Sequence, residues 1–118
     1  MRHLLVCCAL LLAFPVSASA LSVSDFKLKQ RGTRLFFSVD ICGKKDRLVY
    51  IQTFFRPEGT SRRGAGPVEM TRLPYRCTDD IGYSYKLLSD TEGLWEGRMA
   101  IEQGGVVRKT RWRSVFIR

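Results

Sequence analysis

The sequence predicts an all-β fold, an antiparallel β-sandwich of about seven strands. Three observations carry this. No segment sustains a 3.6-residue apolar period. Apolar and polar residues alternate in stretch after stretch instead. Turn signals rich in Gly, Pro and Asp separate those stretches at short intervals. A small OB-like or other β-barrel is the alternative that the same pattern allows.

The elements follow in chain order. "SDFKLKQ" puts Phe26 and Leu28 on one face. "TRLFFSVDIC" puts Leu35, Phe37, Val39 and Ile41 on one face and Arg34, Phe36, Ser38 and Asp40 on the other. "RLVYIQTFF" groups Val49, Ile51 and Phe55, with Phe54 turned outward. A short strand is expected near Val68–Arg72. "IGYSYKLL" groups Ile81, Tyr83, Tyr85 and Leu87. The turns between them are Arg31-Gly32, "CGKKD", "RPEGTSRRGAGP", "LPYRCTDD" and "SDTEG". "GLWEGRMAIEQGGVVRKTRWRSVFI" closes the chain as a hairpin.

Gly104-Gly105 suits a two-residue hairpin turn with positive φ. Gln103 then faces Val106, Ile101 faces Arg108 and Met99 faces Thr110. Carried on unbroken, the register sets Gly97 against Trp112 and Trp95 against Ser114. It buries Trp95, Met99, Ile101, Trp112 and Phe116. The outer face then pairs Glu96 with Arg113, Arg98 with Arg111 and Ala100 with Lys109. On this reading the aromatics and the cations of "RKTRWRSVFIR" lie on opposite faces. That excludes a stacking platform for single-stranded nucleic acid, which needs both on one surface. A one-residue bulge would undo the argument.

The first twenty residues are read apart from the fold. "MRHLLVCCALLLAFPVSASA" has a basic start, an apolar run from Leu4 to Phe14 and an Ala18-Ser19-Ala20 ending. That is the pattern of a secretory signal peptide cleaved after Ala20. Its apolar run is short for a bilayer span. Residues 21–118 are then one exported domain, periplasmic or secreted, with no transmembrane segment expected in it. The size suffices for a core of its own.

Removing the leader takes away His3, the chain's one histidine, together with Cys7 and Cys8. Cys42 and Cys77 remain, and an oxidising compartment pairs them. Such a crosslink is worth roughly 3–4 kcal/mol in the chain-entropy model. Cys42 is expected at a strand end and Cys77 in a loop.

Without histidine, the exported domain has no Ser-His-Asp, Cys-His or His-metal site. Asp79-Asp80 are adjacent and point apart in an extended chain. Asp90 and Glu92 sit in an expected turn, too few to ligate calcium. The expectation is therefore a non-enzyme with no cofactor and no metal.

Charge is the more informative property. The chain holds 20 Lys and Arg against 11 Asp and Glu, a net +9. Arginine predominates, and its planar fork matches carboxylate and phosphate. The candidate anion-binding residues are Arg98, Lys109, Arg111 and Arg113 on the outer face of the last hairpin. Arg62 and Arg63 in the Gly-rich loop form a second contact.

The stretches "FKL", "GTRLFFSVDI" and "GLWEGRMAIEQGGVVRKTRWRSVFI" give a layout that resembles small immunoglobulin-like or fibronectin-type-III-like modules of bacterial secreted proteins. The resemblance spans most of residues 21–118 and concerns the fold. Both tryptophans follow both cysteines, so the Cys–Trp–Cys spacing of antibody domains is absent. Such a fold implies no function by itself.

The functional expectation is an exported binding module for an anionic envelope partner: lipopolysaccharide, acidic polysaccharide or an acidic protein. The alternative is a structural or assembly part that docks on another envelope protein, through a sheet edge or the Phe36 face. Nucleic-acid binding fits the charge but not the export signal.

Overall fold

The computed structural model describes residues 21–59, 64–88 and 91–118. The proposed signal peptide, Arg62 and Arg63 lie outside the described residues. Among the described residues nine strands form, all paired antiparallel: β1 (Ser22–Arg31), β2 (Arg34–Cys42), β3 (Leu48–Pro57), β4 (Gly64–Ala65), β5 (Glu69–Arg72), β6 (Cys77–Lys86), β7 (Gly93–Gln103), β8 (Val106–Lys109) and β9 (Arg113–Ile117). One sheet runs β1-β2-β6. In the other, β3 and β7 are central, β4 and β5 share one edge, and β8 and β9 share the other. These strands fill seven positions, three in one sheet and four in the other, consistent with an antiparallel β-sandwich. No helix among the described residues is long and apolar enough to cross a membrane.

Alternation sets the core. Leu35, Phe37, Val39 and Ile41 of β2 are buried, and so are Val49 and Ile51 of β3 and Met99 and Ile101 of β7. Phe26, Phe55, Ile81, Tyr83, Tyr85 and Leu87 pack around them, partly buried, on the faces that the alternation assigns. Phe37 meets Tyr85 edge-on at 5.8 Å, and Phe55 stacks on Trp95 at 4.5 Å. Such contacts add to the burial of area itself.

Two local devices hold the ends. Gly104 and Gly105 have φ of 59° and 86°, as a primed hairpin turn needs. Beside them, the buried Gln103 accepts from the Lys44 amide at 2.8 Å and donates to the Lys44 carbonyl at 3.1 Å. It ties the β2–β3 crossing to the end of β7. The Cys42–Cys77 disulfide forms. Cys77 is not in a loop, however. It opens β6 directly opposite Cys42, so the crosslink staples two neighbours in one sheet. "CTDD" belongs to that strand rather than to the turn before it.

The largest departure lies in the last hairpin. Gln103↔Val106, Ile101↔Arg108 and Ala100↔Lys109 pair as expected. Beyond them the register slips by one residue: Gly97 faces Arg113, Trp95 faces Val115 and Gly93 faces Ile117. Thr110 covers the break. Its amide donates to the Met99 carbonyl at 2.9 Å, and its hydroxyl accepts from the Met99 amide at 2.9 Å. A side chain thus stands in for a ladder carbonyl.

The cause is steric. The unbroken register would set the Trp112 ring over Gly97. That space is already taken, since a Cβ on Gly97 would lie 3.0 Å from both Leu28 and Phe37. With the slip, compact Val115 and Ile117 turn inward, and Ile117 is buried. Phe116 turns outward and is 59% exposed, contrary to expectation.

Candidate functional site

The slip changes what the outer face of the six-stranded sheet presents. Trp112 is not in the core. Its indole lies on the outer face, with the Arg56 guanidinium 3.8 Å and the Arg98 guanidinium 4.7 Å from its centroid. Arg98 also packs over Phe54 at 5.8 Å, and the two are direct cross-strand partners. Attraction to a ring face offsets part of what a guanidinium loses on leaving water.

The acid of this cluster differs from the one expected. Glu96 faces Ser114, not Arg113, and accepts from Arg56 Nε at 2.7 Å. Both side chains of this pair are largely shielded. Arg98 does not face Arg111 across the ladder either. The expected like-charge pair is replaced by arginines laid on aromatic rings.

The other predicted cations part company. Lys109 faces Ala100 on the outer face and is exposed. Arg111 is exposed within the break between β8 and β9. Arg113 leaves the outer face, because its partner Gly97 points inward. It reaches across the sandwich edge and donates to the Phe26 carbonyl at 3.0 Å. The structure therefore divides the predicted patch. Arg98 joins the aromatic cluster, while Lys109, Arg111 and Arg113 gather at the edge.

At that edge a second irregularity meets the first. β1 loses register between Ser24 and Lys27, and Asp25 there has φ of 54°. The two interrupted strands leave a notch of about 580 Å³ between them. Lys109, Arg111, Trp112 and Arg113 line one side, and Asp25 and Phe26 the other.

Toward each end of the outer face lie exposed apolar groups. Tyr50 pairs with Met70, which is 63% exposed, and Leu94 pairs with Phe116. Their signal in the sequence was alternation itself. Tyr50 and Leu94 fall on the polar phase of their strands, where sequence reading attends first to charge.

Sequence reading also missed a cationic row on the other sheet. Arg31 faces Arg34, and Arg34 faces Lys86. Phe36 lies on that face beneath the Arg31 guanidinium, 5.7 Å away. Between the sheets, on the side of β4 and β6, is an apolar cleft of about 620 Å³ floored by Phe37, Phe55, Tyr85 and Trp95. Burial raises the pKa of Tyr85 and of its neighbour Tyr83; the Thr53 side chain offsets part of the rise at Tyr85.

No family model matches the chain, and no curated protein matches it. Among solved structures, a match is the solution structure of CsgH from R. palustris. It is 9% identical, covers 75% of this chain and 87% of that one, and has a TM-score of 0.44.

Proposed function

We propose that this chain is an exported, non-catalytic binding module that engages an acidic protein of the cell envelope through the outer face of its six-stranded sheet. One observation carries the reading: aromatic rings and arginines share that face. Trp112, Phe54, Arg56 and Arg98 form its centre. Tyr50, Met70 and Phe116 lie exposed around it. Trp, Tyr and Arg are the residues that dominate protein interfaces.

Charge gives the sign of the partner. Of the acids there, Glu96 is paired by Arg56, while Glu102 accepts from the Gly105 amide at 2.6 Å and keeps its charge, against the cations Arg98, Lys109 and Arg111. Lys109 and Arg111 make no side-chain bond with any described residue, which leaves the face positive. A bare polyanion would use the cations and waste the apolar groups. An acidic protein surface uses both, which unites the two leading expectations.

The shared face also reopens the nucleic-acid reading, since aromatics and cations now coincide. Two guanidiniums already pack on the Trp112 ring, however, so a base would have to displace an arginine to stack there.

The test is a binding panel of envelope protein extract, lipopolysaccharide, acidic polysaccharide, anionic vesicles and DNA, at two salt concentrations. The disulfide-bonded chain Leu21–Arg118 is compared with Tyr50→Ser/Phe116→Ser. Retention of one acidic protein that the double variant loses is expected. Equal, salt-labile binding to every polyanion, unchanged in the variant, would refute the reading.

A further inference from the structure

We propose that the notch between β1 and the β8–β9 break is an oxyanion-binding site, which takes a carboxylate or a phosphate-type group. This rests on the anionic-partner reading above and names where the partner's charge is held.

β1 and the β8–β9 strand run beside each other as neighbouring edges of the two sheets. Here both edges recede at the same place. β1 slips between Ser24 and Lys27, and the opposite edge breaks between Lys109 and Arg113. Each interruption forgoes ladder pairing, and together they open a concavity of about 580 Å³. That lies within the range of small-ligand sites, roughly 300–1,000 Å³.

The lining has one dominant sign. Lys109, Arg111 and Arg113 all border the notch. Asp25, the one acid among the described residues that line it, lies 3.5 Å from Lys27 Nζ, which Asp80 also approaches at 4.0 Å. Three cations around one concavity repel each other, and an anion between them removes that cost.

The cations are also arranged for the task. Arg113 is held by its Nη1 bond to the Phe26 carbonyl, which leaves other N–H groups of its fork to donate. Lys109 and Arg111 have no ion pair or side-chain hydrogen bond among the described residues. Thr110 and Trp112 stiffen the stretch that carries them, one through Met99 and the other through the Arg56 and Arg98 contacts. A partly rigid wall with an indole in it weakens screening and strengthens a charged hydrogen bond.

The test uses the disulfide-bonded chain Leu21–Arg118, isotopically labelled, titrated separately with inorganic phosphate and with acetate at low salt. Amide shifts that saturate and centre on residues 23–26 and 109–113 are expected. Lys109→Gln/Arg111→Gln should weaken that binding about tenfold or more, as loss of charged hydrogen bonds does. Arg34→Gln, on the far sheet, should leave it unchanged. Tighter acetate binding points to acidic side chains as the source, and tighter phosphate binding to phosphate-bearing headgroups. Shifts that never saturate, or that follow Arg31, Arg34 and Lys86 equally, would overturn the proposal. Saturation at the notch with no macromolecule bound in the panel would sink the protein-docking reading alone. A protein partner lost on Tyr50→Ser/Phe116→Ser, with no saturable shift at the notch, would sink the notch alone.

Discussion

The two sheets both turn basic faces to solvent, yet they are built in opposite ways. On the six-stranded sheet, Arg56 and Arg98 lie on the Trp112 ring, and Arg56 is also paired with a largely shielded Glu96. On the three-stranded sheet, Arg31, Arg34 and Lys86 stand in one row across the strands, and all three are exposed. Among the described residues, Arg34 is held there only by Ser84, through its hydroxyl at 3.1 Å and its carbonyl at 3.2 Å. The first face has organised its charge around rings. The second sets a single arginine, Arg31, over a ring, Phe36, and leaves its cationic row exposed. Positive charge alone therefore does not mark a site on this molecule; the support around it does.

Trp112→Ala is the largest break in that comparison. It removes the ring on which two arginines rest and leaves them over a gap. Full burial of a Trp is worth about 3–5 kcal/mol on truncation, so this partly buried ring should cost about 2–3 kcal/mol. Phe36→Ala, under a single exposed arginine on the other sheet, should cost less than about 1.5 kcal/mol. Urea unfolding of both variants measures the difference. Equal costs would mean that the two faces are equivalent.

Glu96→Gln probes the same cluster more gently. The amide keeps the shape but removes the charge beside Arg56. A fully buried pair costs about 3–5 kcal/mol to break and an exposed one about 0–1, so roughly 1–2 kcal/mol is expected here. Because the pair is shielded, the loss should persist in high salt. A loss that disappears in salt would place Glu96 with the ordinary surface acids.

The two faces also differ in how far the sequence reveals them. Strand positions were legible because alternation and turn residues are local. The same holds for the Gly104-Gly105 turn and the register it sets as far as Lys109. The pairing of Arg31 with Arg34 was not legible, because the expected turn at Arg31-Gly32 falls one residue later, at Gly32-Thr33. Lys86 completes the row only through the β2–β6 register, which joins residues 52 apart in sequence. The slip at Thr110 was not legible at all. It depends on Leu28 and Phe37, from the opposite sheet, filling the space over Gly97. No pattern within the last hairpin carries that information. One displaced residue then moved Trp112 onto the arginines and Phe116 into solvent, and it opened the notch.

The smallest effect gives the sharpest contrast, because its sign is reversed. Arg34 has a cation directly across from it on each side, Arg31 on one strand and Lys86 on the other. Like charges in that position each cost some tenths of a kcal/mol. Its two bonds to Ser84 are exposed and compete with water, so they return little. Arg34→Thr removes both repulsions and places a β-branched residue in a strand. It should therefore stabilise the chain by a few tenths of a kcal/mol at low ionic strength. The gain should shrink as salt screens the row, since Debye screening at 1 M reaches only about 3 Å. Glu96→Gln, by contrast, destabilises at every salt concentration. Unfolding curves for both variants at low and high salt separate the two kinds of charge. A destabilising Arg34→Thr would show that the exposed row is supported after all, and the contrast between the faces would fall with it.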